Sequence, residues 1–143
     1  MKTLPFTTVL SLTAMLAPLP ALAGAVDVTV TGLAAPGGEV GCALHQGAEG
    51  FPTGQTGVVQ VWTTPDGGAA RCRFENVAPG DYAVAVSHDL NGNRATDTNL
   101  LGMPTEAWGV SNNVRPTFRA PRFEEAAFAV ADGPVALTIE VAK

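Results

Sequence analysis

The sequence predicts an all-β protein, a single antiparallel β-sandwich of about seven strands. Three observations predict it. The chain is 46% apolar and only 15% charged, with 16 glycines and 11 prolines, the profile of short strands and many turns rather than of a helical bundle. Its apolar residues alternate with polar ones in short runs bounded by Gly, Pro, Asn and Asp. Its 143 residues suffice for one domain and are too few for two ordinary ones.

The N-terminus reads as a targeting segment. Met1-Lys2 forms a minimal positive region, Leu4 to Leu19 is mostly apolar, and Ala21-Leu-Ala23 gives a small-x-small cleavage pattern. The expected division is a signal peptide at 1–23 and one sandwich domain at 24–143. The apolar run is short for a membrane span and carries Pro18 and Pro20 at its end. No later segment is long enough to cross a bilayer, and no Cys follows the cleavage point to carry a lipid. The expected product is exported, periplasmic or secreted.

From there the elements follow in order. Ala25 to Leu33 alternates β-branched and polar residues, a strand with one wet face. Ala34-Ala-Pro-Gly-Gly38 is a turn. Glu39 to Gln46 is a second strand with Val40, Cys42 and Leu44 on one face; His45 falls near its end and reads as surface. A Gly-rich connection from Gly47 to Gly57 leads to a third strand, Val58 to Thr63. Pro65-Asp-Gly-Gly68 turns the chain into Ala70 to Val77, with Ala70, Cys72 and Phe74 inward and Arg71, Arg73 and Glu75 in water. Gly80-Asp-Tyr82 enters a fifth strand ending at Ser87, with Tyr82 placed like the aromatic of a tyrosine corner. Pro116 to Phe123 is irregular, Glu125 to Ala131 suits a short helix or a strand, and Val135 to Val141 is a terminal strand.

Cys42 and Cys72 are the only cysteines. In an exported chain such a pair reads as a disulfide, which on the chain-entropy account stabilises by roughly 3.5 kcal/mol. A redox role is disfavoured, because there is no C-x-x-C and Arg71 and Arg73 point away from Cys72 across the strand. The formal charge of −5 disfavours nucleic acid as a partner, since no basic excess exists to displace counterions.

Most of the groups able to do chemistry fall between His88 and Asn113. Asp89, Asn91, Asn93 and Asp97 place oxygen side chains at positions 1, 3, 5 and 9 of a calcium-type loop, with the Ala95 carbonyl at position 7. Glu106 is the nearest carboxylate able to fold back onto it. The loop departs from an EF-hand at positions 6 and 12, where Arg94 and Leu100 replace Gly and Glu. Few carboxylates imply weak affinity, on the order of 10⁻⁴–10⁻³ M. The competing reading is a set of Asx-turns in a solvated loop. Zinc suits this oxygen-rich set poorly.

The run Phe74-Glu-Asn-Val-Ala-Pro-Gly-Asp-Tyr-Ala-Val-Ala-Val86 resembles the strand–corner–strand signature of transthyretin-like (prealbumin-like) and carboxypeptidase-regulatory-like sandwiches. With His88-Asp-Leu-Asn-Gly-Asn93, Asp97-Thr-Asn99, Gly102-Met-Pro104, Glu106, Gly109 and Ser111-Asn-Asn113, the chain resembles the exported bacterial family called domain of unknown function 2141. The resemblance covers most of the chain beyond the targeting segment and implies a small secreted β-sandwich with no established activity. The family often has a Gly after the second Asn, where this chain has Arg94.

Two function classes follow. The leading one is a non-enzymatic binding or structural module with a calcium-type loop. Its candidate surface is His88, Trp108, Asn112 and Asn113, which suit a protein, peptide or carbohydrate partner. In the competing structural reading, Trp108 plugs one end of the sandwich and the asparagines cap loop backbone. The alternative is a metal-dependent enzyme using His88, Asp97 and Glu106. No nucleophile motif accompanies them, and Ser87 beside His88 is adjacency rather than a triad. The commoner role for a His in this position is to hydrogen-bond a loop carbonyl or carboxylate. Arg115, Arg119 and Arg122 form the one basic cluster, able to meet an anion or to neutralise Glu124 and Glu125.

Overall fold

A computed structural model describes residues 23–143, so the targeting segment expected at 1–23 lies outside the described residues apart from Ala23. The strands are β1 (Gly24–Thr31), β2 (Glu39–His45), β3 (Val59–Thr63), β4 (Ala70–Val77), β5 (Gly80–Asp89), β6 (Trp108–Val110), β7 (Phe128–Val130) and β8 (Pro134–Glu140). A single helical turn, α1 (Phe123–Ala126), precedes β7. They form two sheets, one of three strands ordered β4-β1-β8 and one of five strands containing β3-β2-β5-β6. β7 continues the β6 side of β5, pairing Gly80 with Val130 while β6 pairs Ser87 with Trp108.

The sandwich expected from the sequence is present. Its pairing is antiparallel except between β1 and β8, which run parallel. The segment expected to be helix or strand is both in turn, α1 then β7. β6 was hidden inside the polar stretch because three residues are too few to show a period.

Alternation builds the core. Val26, Val28 and Val30 of β1, beside Cys72 and Phe74 of β4 and Ile139 of β8, pack against Val40, Cys42 and Leu44 of β2 and Tyr82, Val84 and Val86 of β5. The disulfide joins Cys42 of the larger sheet to Cys72 of the smaller across this core, with Cα atoms 6.4 Å apart. Tyr82 is buried and packs in the core, but among the described residues its hydroxyl makes no tyrosine-corner hydrogen bond to upstream backbone.

The outward residues of the two sheets differ in kind. On the smaller sheet they are polar, and Arg73 of β4 reaches both carboxylate oxygens of Asp27 on β1 at 2.7 Å. On the larger sheet they are Gly41 and Ala43 of β2 and Ala83, Ala85 and Ser87 of β5. A second small apolar cluster covers one end of that face: Ala83, Val110 and Ala126, with Phe51, Trp108, Val114 and Phe123 packed on them.

His45 belongs to this covered end, which corrects its expected surface position. It is 1% exposed, opposite Ala83, with its ring edge-on to Phe51 at 5.2 Å. Burial pushes its pKa down, opposed in part by the nearby Pro52 carbonyl, and neither ring nitrogen forms a hydrogen bond. The sequence placed His45 on the outer face correctly but gave no sign that the 46–57 connection folds back over that face.

Candidate functional site

The loop after β5 is held by its own backbone. Asp89 is fully buried, and its carboxylate accepts N–H groups of Asn91 (3.2 Å), Gly92 (2.7 Å) and Arg94 (2.7 Å). Burial pushes the Asp89 pKa up, but the amides of Arg94, Gly92, Asn91 and Asn93 outweigh it and hold the carboxyl below its usual value. Asn91 and Asn93 each close an Asx-turn, accepting the N–H of Asn93 and Ala95. Their amide groups both donate to Asp97, Asn93 at 2.8 Å. Glu106 does fold back. One carboxylate oxygen takes the N–H of Leu90 at 3.1 Å and the other that of Asp97 at 3.4 Å, so it clasps both ends of the loop.

Ala95 is exposed within this network. Among the described residues no three His, Cys, Asp or Glu side chains group as a metal-holding set. The side-chain oxygens of Asn91, Asn93 and Asp97 are all engaged within the loop by backbone or amide N–H groups.

The other expected residues are also engaged with backbone. His88 is buried and its Nε2 bonds the Gly37 carbonyl at 2.8 Å, as the commoner role for such a His requires. Asn112 and Asn113 adopt left-handed backbone angles, φ 61° and 52°. Asn112 donates to the carbonyls of Glu125 and Ala127, and Asn113 spans Thr138 and Glu140 of β8. Ser111, which the sequence reading missed, is buried. Its hydroxyl donates to the Ala126 carbonyl and accepts the Val84 N–H at 3.0 Å. The only signal was its residue type, a hydroxyl able to donate to and accept from backbone groups; its partners lie 27 and 15 residues away in sequence. The Ser111–Asn113 run thus stitches β5, β8 and the α1 segment together. His88, Asp97 and Glu106 do not meet at an open site.

A cleft of about 890 Å³ occupies the rest of the outer face of the larger sheet, within the size range of small-molecule sites. Gly41, Ala43, Ala85, Ser87 and Gly109 form its floor, and both tryptophans of the chain, Trp62 and Trp108, stand on it. Trp62 lies so close over Gly41 that a Cβ there would sit 2.6 Å from the ring; only glycine permits the contact. Ala95, Thr96, Thr98 and Met103 build one wall and the 115–121 segment the other.

Each tryptophan carries an arginine. Arg94 lies over Trp62 at 5.3 Å and Arg115 over Trp108 at 4.4 Å. Arg94 has a left-handed φ of 54°, the geometry a glycine would adopt freely, and its guanidinium reaches both oxygens of Glu39. Arg119 pairs with both oxygens of Glu125 and lowers that carboxyl to about 2, helped by the Arg122 N–H. Arg115 is different. It donates to the carbonyls of Trp108 and Ala142 and meets no carboxylate among the described residues. None of the chain's 13 acidic side chains lines the cleft.

Fold and site define a two-sheet β-sandwich with a covered outer face and a cationic, tryptophan-lined cleft. The chain belongs to the family described as "Uncharacterized protein conserved in bacteria (DUF2141)", whose profile matches residues 28–138. No curated protein and no solved structure matches it.

Proposed function

We propose that this protein is an exported, non-enzymatic binding module whose working surface is the cleft on the larger sheet. One observation carries the reading: a sheet face floored by small residues, walled by the segments around 52–55, 94–104 and 115–121, and set with two tryptophans and three arginines. A solvated face has no need of those walls, and these side chains hold ligands rather than transform them. The disulfide supports an oxidising compartment, and no helix among the described residues is long and apolar enough to cross a membrane.

Amide NMR against a mixed library of small organic ligands tests the reading. Shift changes should converge on Gly41, Ala43, Ala85, Ser87 and Gly109. Changes scattered over β1 and β4 instead count against it.

Calcium enters as a weak stiffener of one wall. Asn91, Asn93 and Asp97 converge in the loop that continues into Ala95, Thr96 and Thr98 of the cleft. Melts in EDTA and in excess calcium test this, with Asp97→Ala beside them. At 100 times its Kd an ion bound only by the folded state stabilises by about 2.7 kcal/mol. Superimposed melts remove calcium from the proposal and leave the cleft untouched.

A further inference from the structure

We propose that the cleft takes a small amphipathic monoanion: a carboxylate or similar head held by Arg115, on an apolar body laid against the tryptophans and the lips of the cleft. This rests on reading the cleft as a binding site, and it names the ligand class.

Charge fixes the head. The cleft is cationic within a chain of net charge −5. Arg94 and Arg119 are already neutralised by Glu39 and Glu125. Arg115 has two N–H groups on carbonyls, and of the five donors of a guanidinium the others remain for a ligand. Its plane is steadied by the Trp108 ring, so little orientation is lost when an anion docks. Lys143 also lines the cleft, so the charge left after those two ion pairs is positive and suits an anionic head held by Arg115.

Apolar surface fixes the body. Met103 on one lip is 54% exposed and Phe118 on the other 98%. Asn99 accepts the N–H groups of Leu101 and Met103, holding that lip in shape. Exposed side chains of this size, facing a shared opening, are covered when an apolar ligand lies between them.

Both tryptophans line the cleft, so intrinsic fluorescence reports its occupancy. Decanoate, decyltrimethylammonium and decyl glucoside, each below its micelle concentration, share a chain length and differ in head charge. Decanoate should give a saturable change and the other two at least tenfold weaker ones. Arg115→Gln should weaken decanoate about tenfold or more without changing the response to decyl glucoside, and Arg115→Lys should restore part of the loss. Ala43→Phe or Ser87→Phe, each checked for an unchanged melt, should abolish decanoate binding by filling the floor.

Equal binding of all three probes, or of none, overturns the monoanion inference and leaves the cleft reading standing. Decanoate binding that survives both occluding substitutions overturns the cleft reading itself.

Discussion

The two sheets carry opposite outer faces. On the smaller sheet, Asp27, Arg71, Arg73 and Glu75 stand in water, and Arg73 pairs with Asp27 across strands and with Glu75 along its own. Along the central strands β2 and β5 of the larger sheet the equivalent positions are mostly glycine, alanine and serine, half roofed by Phe51, Phe123 and α1 and half open as the cleft. A charged face solves its own hydration and needs no partner. A face of small residues leaves volume above it, and this chain spends two loops and a helical turn enclosing that volume. Absence of side-chain bulk, more than presence of polar groups, marks the site.

The largest test of the contrast places a carboxylate on each face. Ala83→Glu, under the roof at 0% exposure, should cost about 3 kcal/mol or more in urea unfolding, because a buried charge has no partner there. Thr29→Glu on the smaller sheet should stay within about 0.5 kcal/mol. Equal losses would erase the distinction. Gly41→Val comes next. It should cost about 1–3 kcal/mol by overpacking against Trp62 and should shift the tryptophan emission.

The roof also carries a pH signature. With its folded pKa below the ordinary 6.5, His45 stays neutral in the folded chain while the unfolded chain takes up a proton. Its contribution is therefore complete above about pH 6.5 and declines as the pH falls from there through the folded value. Urea midpoints should drop over that window in the native chain, and His45→Leu should remove that part of the decline. Arg94→Gly should leave the urea midpoint nearly unchanged. It relieves a left-handed residue while losing an exposed ion pair and a stacked cation. The change should be visible chiefly in Trp62 fluorescence.

The strands were legible because β-branched alternation is strong in β1, β4 and β5. The disulfide was legible because only two cysteines exist. The Asp/Asn loop was also legible as a unit, although its two most buried carboxylates, Asp89 and Glu106, hold backbone N–H groups. Oxygen spacing alone does not separate a cation from an amide as the group being held. The cleft was not legible. Gly41, Ala43 and Ala85 read as weak strand positions, and what lies above them depends on connections at 46–57 and 114–127 whose sequences carry no period. Trp108 was singled out, but its partner across the sheet, Trp62, sits 46 positions earlier in what reads as an ordinary strand.

The parallel pairing of β1 with β8 has a consequence in time. β1 is the middle strand of the smaller sheet, yet one of its two neighbours lies more than a hundred residues downstream. A chain emerging from its N-terminal side holds β1 with one edge open until residues 134–140 arrive, and a parallel contact of such long range forms slowly. The first strand made is thus among the last completed. An open strand edge in an unfinished chain is a liability for aggregation, and in this topology that edge closes only once the last strand has emerged.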